Sequence, residues 1–343
     1  MAHRRHPVQP APDGPNKAMI RCHSVAPKVS LVSILQWKSA RSGAIAPVLL
    51  ALLLGQAALA QVSQPPVNLG NTNFVDGRAL PGIMFQQTWI GAQADSFRDA
   101  SGDRQAAPDQ LKAYSVASQL AWLSDTRIFG ANWGAEFILP LARVELDLNP
   151  IVADTRMGFG DLFVSPLVLQ WPERELFGRP YWQRLNVNVI LPVGDYDPDR
   201  LVNLGSNAYR INPHYAFSWF ATDEWELSGR VHFLWNGRNR NPATALQADS
   251  IQPGRAVHTN LAVSRELAPG LRLGLSGYHL RQISDDRIDG MEIAGSREQV
   301  IGYGPGLRKQ RGPQVFFFHV YRESAVRNRP QRHQVIFRYA RFY

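Results

Sequence analysis

The carboxy-terminal nine residues constrain the fold more than any other stretch. Val335, Phe337, Tyr339, Arg341 and Tyr343 alternate with Ile336, Arg338, Ala340 and Phe342. Such period-two alternation marks a strand whose two faces meet different surroundings. A terminal strand that ends on an aromatic residue is also the sorting and insertion signature of bacterial outer-membrane barrels. Arg341 departs from that signature, which ordinarily carries an apolar residue third from the end. The expectation is an all-β chain, folded as an antiparallel transmembrane β-barrel.

The amino-terminal region is consistent with export. An apolar run from Ala44 to Ala58 follows Lys38 and Arg41 and ends in Ala58-Leu59-Ala60, the small-x-small pattern of signal peptidase. Interrupted by Pro47 and Gly55, it is short for a helical span of roughly 20 residues. Residues 1–60 are therefore read as an extension plus secretory signal, with cleavage before Gln61. Cleavage also changes the meaning of the charge. The chain carries +9, but residues 1–60 hold seven Lys or Arg and one Asp, leaving 30 basic against 27 acidic residues. That balance removes the case for nucleic acid as a partner. Cys22 also falls in the leader, so the mature chain needs no disulfide chemistry.

After Gln61 about a dozen segments alternate. Trp225, Leu227, Val231, Phe233 and Trp235 oppose Glu224, Glu226, Ser228, Arg230 and His232. Leu185, Val187, Val189 and Leu191 oppose Arg184, Asn186 and Asn188, and Trp133, Phe137 and Leu139 oppose Asn132 and Glu136. Each segment is long enough for a tilted membrane strand, about 9–11 residues. Connections after odd strands read as long (95–110, 146–156, 194–206, 237–252, 285–295, 324–331). Those after even strands read as mostly short, as a barrel with periplasmic turns and extracellular loops requires. The domain reading is 61–79 as a periplasmic segment, with a small plug as its other reading, and 80–343 as a barrel of about 12 strands.

The polar faces of these strands supply the pore-lining candidates Arg184, Asn186, Asn188, Glu224, Glu226, Arg230, His232 and Glu136. Charge on the lipid face costs about 2–4 kcal/mol at the midplane, so these groups belong in the lumen or at a rim. An extracellular-loop motif is read from Asp195, Asp197, Asp199, Asn203 and Asn207. Its oxygens invite a calcium reading, but it lacks the Gly and closing Glu of a helix-loop-helix site, and Asx turns account for the acids equally well. No metal or cofactor is assigned. Six His remain after cleavage without a Gly-x-Ser-x-Gly elbow. A serine-histidine lipid hydrolase built across neighbouring strands stays open as an alternative, as does a non-conducting structural barrel.

The runs GFGDLFVSPLVLQW (Gly158 to Trp171) and LPVGDYDPDRLVNLGSN (Leu191 to Asn207) carry a resemblance. With Asn212-Pro213, Gly277-Tyr278, Gln282, Asp285 and Gly304-Pro305, they resemble the barrel family named for the meta pathway of phenol degradation. The resemblance spans about Leu80 to the end. It implies a Gram-negative outer-membrane location and passive uptake of small, aromatic or hydrophobic solutes. The expected partners are outer-membrane lipid, the barrel assembly machinery acting on the last strand, and those solutes.

Overall fold

The computed structural model describes residues 64–65, 67–71, 74–105, 109–148 and 152–343. The expected signal segment, 1–60, lies outside the described residues. Twelve antiparallel strands build the wall. They are β1 (Gly82–Arg98), β2 (Asp109–Ile128), β3 (Ala131–Leu148), β4 (Val152–Phe159 continued by Leu162–Gln170), β5 (Arg179–Leu191) and β6 (Arg210–Ile211 continued by His214–Phe220). They continue as β7 (Trp225–Asn236), β8 (Ala256–Ala268), β9 (Leu271–Gln282), β10 (Gln299–Arg311), β11 (Gln314–Arg327) and β12 (Arg329–Phe342). Each pairs with its sequence neighbours, and β1 pairs with β12 from Met84–Phe342 up to Arg98–Arg329. Closure leaves no row of unpaired amides, the condition hydrocarbon imposes on a spanning sheet.

The alternation sets the radial direction of each side chain. On β11, Phe318 and Val320 face outward, whereas Phe317, His319 and Tyr321 are buried inside. The outer face carries Trp89 against Phe337 and Trp122 edge-on to Trp133, packing that suits lipid. At the end holding both the start of β1 and the end of β12, connections are tight. Phe129 and Gly130 both have positive φ (53° and 75°), as do Phe177 and Gly178 (53° and 67°). Two consecutive left-handed residues form the turn that matches strand twist.

The opposite end differs from the expected sorting of loop lengths at two places. Residues 146–156 and 324–331, read as long loops, are mostly strand. β3 runs to Leu148 and β4 resumes at Val152, while β11 and β12 are joined through Asn328 alone. Past Leu141 the alternation reverses: Arg143, Glu145 and Asp147 take the outward positions and Val144, Leu146 and Leu148 the inward ones. The outward charges pair along the strand, as Arg143 with Glu145 (2.8 Å), and such a reversal reads in sequence as the end of a strand with an apolar outer face. The long connections β5–β6, β7–β8 and β9–β10 are folded. A hairpin of Asp286–Ile288 and Met291–Ile293 joins Ile251–Gln252 in a three-stranded sheet.

Candidate functional site: the barrel interior

The interior is a polar layer built from the inward positions of neighbouring strands. Along one ladder Gln86 Nε2 donates to Gln119 Oε1 (2.6 Å), and Gln119 Nε2 donates to Glu136 Oε2 (2.8 Å). Farther round, Ser165 Oγ donates to Asn188, and Arg184 Nε donates to Asn186 Oδ1 (3.0 Å). Three imidazoles then stack across β6, β7 and β8. His214 and His232 have ring centroids 4.5 Å apart, and His232 and His258 4.0 Å. Asn212 ties them together: its Oδ1 accepts from His232 Nδ1 (3.1 Å) and its Nδ2 donates to His258 Nε2 (3.3 Å). The stack follows from register, since His214, His232 and His258 are direct cross-strand partners.

Inside the barrel lie the described residues of the chain's own segment 64–79 (64–65, 67–71 and 74–79), read from sequence as periplasmic, with a small plug as the other reading. At the long-loop end, Gln64 N–H donates to Glu298 (2.6 Å) and Gln64 Nε2 to the Gly254 carbonyl (2.7 Å). Midway, Gly70 N–H donates to Asn260 Oδ1 (2.8 Å), and Tyr321 OH donates to the Gly70 carbonyl (3.0 Å). Phe74 is buried against His319. Asp76 forms a two-point ion pair with Arg230, with Nη2 to Oδ1 at 2.7 Å. Val75 N–H donates to Glu226, and Gly77 N–H donates to Ser218 Oγ (2.7 Å). Glycine is required at two of these points. Gly70 has φ +78° among the rings of Tyr278 and Tyr321, and a Cβ on Gly77 would lie 2.3 Å from the Phe217 carbonyl carbon. The segment enters the lumen because its amides and Asp76 find partners there that bulk periplasm would supply only as water.

The candidate residues therefore separate. Asn186, Asn188, Glu226 and His232 are buried inside the wall, with Arg184, Arg230 and Glu136 on the same inward phase. Arg230 repels both Arg184 and Arg338, with Asp76 as the shared counter-charge. Glu224 is elsewhere: it sits at the β6–β7 turn and pairs with Arg265 (2.8 Å), both half-exposed. The strand had already ended there, so alternation no longer assigned a face. Asp76, Asn212, His214, His258 and Asn260 were not among the pore-lining candidates read from sequence. The histidines share the inward phase of Ser218 and Glu226, a usable signal; Asp76 had none.

The loop motif is used for folding the loop. Asp195 Oδ2 accepts from Phe159 N–H (2.7 Å), and Asp197 Oδ1 accepts from Asp199 N–H (3.0 Å). Asn203 Oδ1 accepts from Asp197 N–H (2.8 Å), and Asn207 Nδ2 donates to Asn239 Oδ1 (2.9 Å). Asp161, in the break of β4, pins the same loop through Gly194 N–H, Ser206 and Arg210 (2.6 Å). Among the described residues, no three His, Cys, Asp or Glu side chains are grouped to hold a metal.

Two acids sit above the wall, outside the membrane-spanning strands. Glu298 is buried between Gln64 and Arg329 (3.3 Å), and burial pushes its carboxyl up to about 7 against the pull of Arg329. Burial likewise raises Asp286 to about 6, although Gly254 N–H and Gln282 donate to it.

The family model described as "Putative MetA-pathway of phenol degradation" matches residues 94–339. No curated protein matches the sequence. Among solved structures, an outer-membrane channel from Pseudomonas putida F1 superposes with a TM-score of 0.71 at 19% identity, covering 79% of this chain and 100% of that one. The translocator domain of autotransporter NalP from Neisseria meningitidis gives a TM-score of 0.44 at 11% identity, covering 87% and 98%. The transport unit of autotransporter AIDA-I from Escherichia coli gives 0.45 at 7%, covering 85% and 97%.

Proposed function

We propose a transport function from the premise that this chain belongs to the phenol-degradation family whose model it matches over most of its length. The reading is a passive outer-membrane channel for small solutes, closed at rest by residues 64–79 and preferring organic anions such as aromatic carboxylates. One observation carries it: the polar lumen is crossed by a segment whose charged anchor, Asp76, is also a counter-charge of Arg184, Arg230 and Arg338. Withdrawal of the segment carries Asp76 away and leaves three guanidinium groups facing the vacated space, with Glu136 as their nearby acid. A confined positive field of that kind selects anions.

Cleavage before Gln61 would leave three residues ahead of Gln64, which is held at the long-loop end by Glu298 and the Gly254 carbonyl. That leader is what frees the segment to thread the barrel, and β12 is the strand the assembly machinery would engage. The lipid-hydrolase alternative meets an obstacle. Ser276 Oγ lies 3.0 Å from His319 Nδ1, but Ser276 donates to Tyr321 OH and both residues are buried inside the wall beside Phe74, out of reach of membrane lipid.

The test is solute flux into liposomes containing Gln61–Tyr343, the same chain lacking 64–79, and that deletion with Arg184→Gln and Arg230→Gln. Benzoate should enter the deletion vesicles faster than an uncharged sugar of similar size, and the Gln substitutions should remove the preference. Equal entry of both solutes refutes the anion filter, and silence of the deletion chain refutes the channel.

A further inference from the structure

The outer wall carries a second feature that solute passage does not use. A groove of about 600 Å³ lies on the lipid-facing surface across β1, β2, β9, β10, β11 and β12. Its floor is made of small or compact residues, Gly91, Pro305 and Val335, and its walls are the half-exposed rings of Tyr114 and Tyr303. The depression exists because these short side chains lie between two large ones.

Directly above it the wall changes chemistry. Outward positions pass from Val320 to Arg322, from Val335 to His333, from Gly91 to Gln93 and from Tyr114 to Lys112. Cross-strand register puts these in one row across the strands, inclined to the membrane plane by the strand tilt: Arg322 is opposite His333, His333 opposite Gln93, and Gln93 opposite Lys112, with Tyr303 opposite Arg322 on the other side. Arg322 stands nine residues above the turn at Pro313. At about 3.3 Å per residue and a tilt of about 40°, that is about 23 Å, the upper edge of an apolar band about 25 Å tall. Three strand spacings of about 4.8 Å give the row a breadth of about 14 Å.

Among the described residues, neither Arg322, Lys112 nor His333 makes a salt bridge or a side-chain hydrogen bond. Glu145, opposite Lys112, is engaged by Arg143. Two uncommitted cations, Arg322 and Lys112, with the His333 imidazole as a further hydrogen-bonding group between them, complement over an apolar groove an amphiphile with phosphate above and acyl chain below. The long-loop end faces outward in the proposed orientation, so the leaflet concerned is the outer one.

We propose that this groove and its cationic row bind a phosphorylated glycolipid of the outer leaflet, of the lipid A class. An acyl chain lies between Tyr114 and Tyr303, and its phosphates meet Arg322, Lys112 and His333. The inference rests on the outer-membrane placement proposed above and is independent of conduction.

The test is native mass spectrometry of Gln61–Tyr343 in detergent with bisphosphorylated lipid A, with phosphatidylglycerol as comparison. Two variants separate the contributions. Lys112→Glu with Arg322→Glu reverses the row, and Gly91→Phe fills the groove. The latter is tolerable because a Cβ at Gly91 meets the Tyr114 ring at an ordinary 3.8 Å. Heat-modifiable gel mobility checks that each variant is folded. Lipid A should bind wild type at least tenfold better than the charge-reversed variant and several-fold better than Gly91→Phe. Equal binding by all three, or equal occupancy by phosphatidylglycerol, overturns the site. A chain that binds lipid A yet passes no solute retains the site and loses the channel.

Discussion

Replacing Asp76 with Ala should open the channel. Asp76 is 6% exposed, and its pair with Arg230 is the charged attachment of the luminal segment. Removing one partner of a buried pair costs about 3–5 kcal/mol because the other charge stays uncompensated. Here Arg230 would be left beside Arg184 and Arg338. Water entering behind the released segment would solvate it, so the lower figure, about 3 kcal/mol, applies. That is roughly a hundredfold shift in the docked-to-released ratio, at 1.36 kcal/mol per decade. A resting open fraction on the order of 0.1%, typical of a minor state, would rise to about 10%. The assay is open probability of single channels in planar bilayers. Swapping the charges, Asp76→Arg with Arg230→Asp, should restore most of the closure. The reasoning is refuted if Asp76→Ala gates like wild type while the chain lacking 64–79 conducts.

Three further outcomes are expected. Burial raises the Glu298 carboxyl to about 7 from an ordinary 4.5, against the pull of Arg329 and the Gln64 N–H. The folded barrel therefore holds this proton more tightly than the unfolded chain, so stability is greatest below about 4.5 and falls as pH rises through 7. Urea midpoints should drop across that window, and Glu298→Gln should flatten the drop; Arg329, Arg332 and Asp286 are the charges facing this carboxyl. Glu323→Ala strips Arg332 (3.0 Å) and the Tyr278 hydroxyl (2.8 Å) of their buried partner. It should lower barrel stability by about 3 kcal/mol in urea titrations. Phe337→Arg, on the lipid face against Trp89, should cost about 2–4 kcal/mol in the same measurement; no loss would place that face away from hydrocarbon.

The architecture was legible in the sequence because a strand's two faces alternate residue by residue. Leu185, Val187 and Val189 against Asn186 and Asn188 assign outside and inside without reference to any other strand, and an even number of such segments in a chain expected to be exported leads to closure. The reading ended where that contrast ended. Past Leu141 the phase reversed, with Arg143, Glu145 and Asp147 on the outer face, and at the β6–β7 turn Glu224 no longer had a face. Tertiary structure alone decided what fills the barrel. Stacking His214, His232 and His258 depends on the register of three strands, and pairing Asp76 with Arg230 joins positions 154 residues apart. Segment 64–79 has no periodicity of its own. Its place is determined by hydrogen-bond partners on the surrounding wall, and those partners exist together only once the wall has closed.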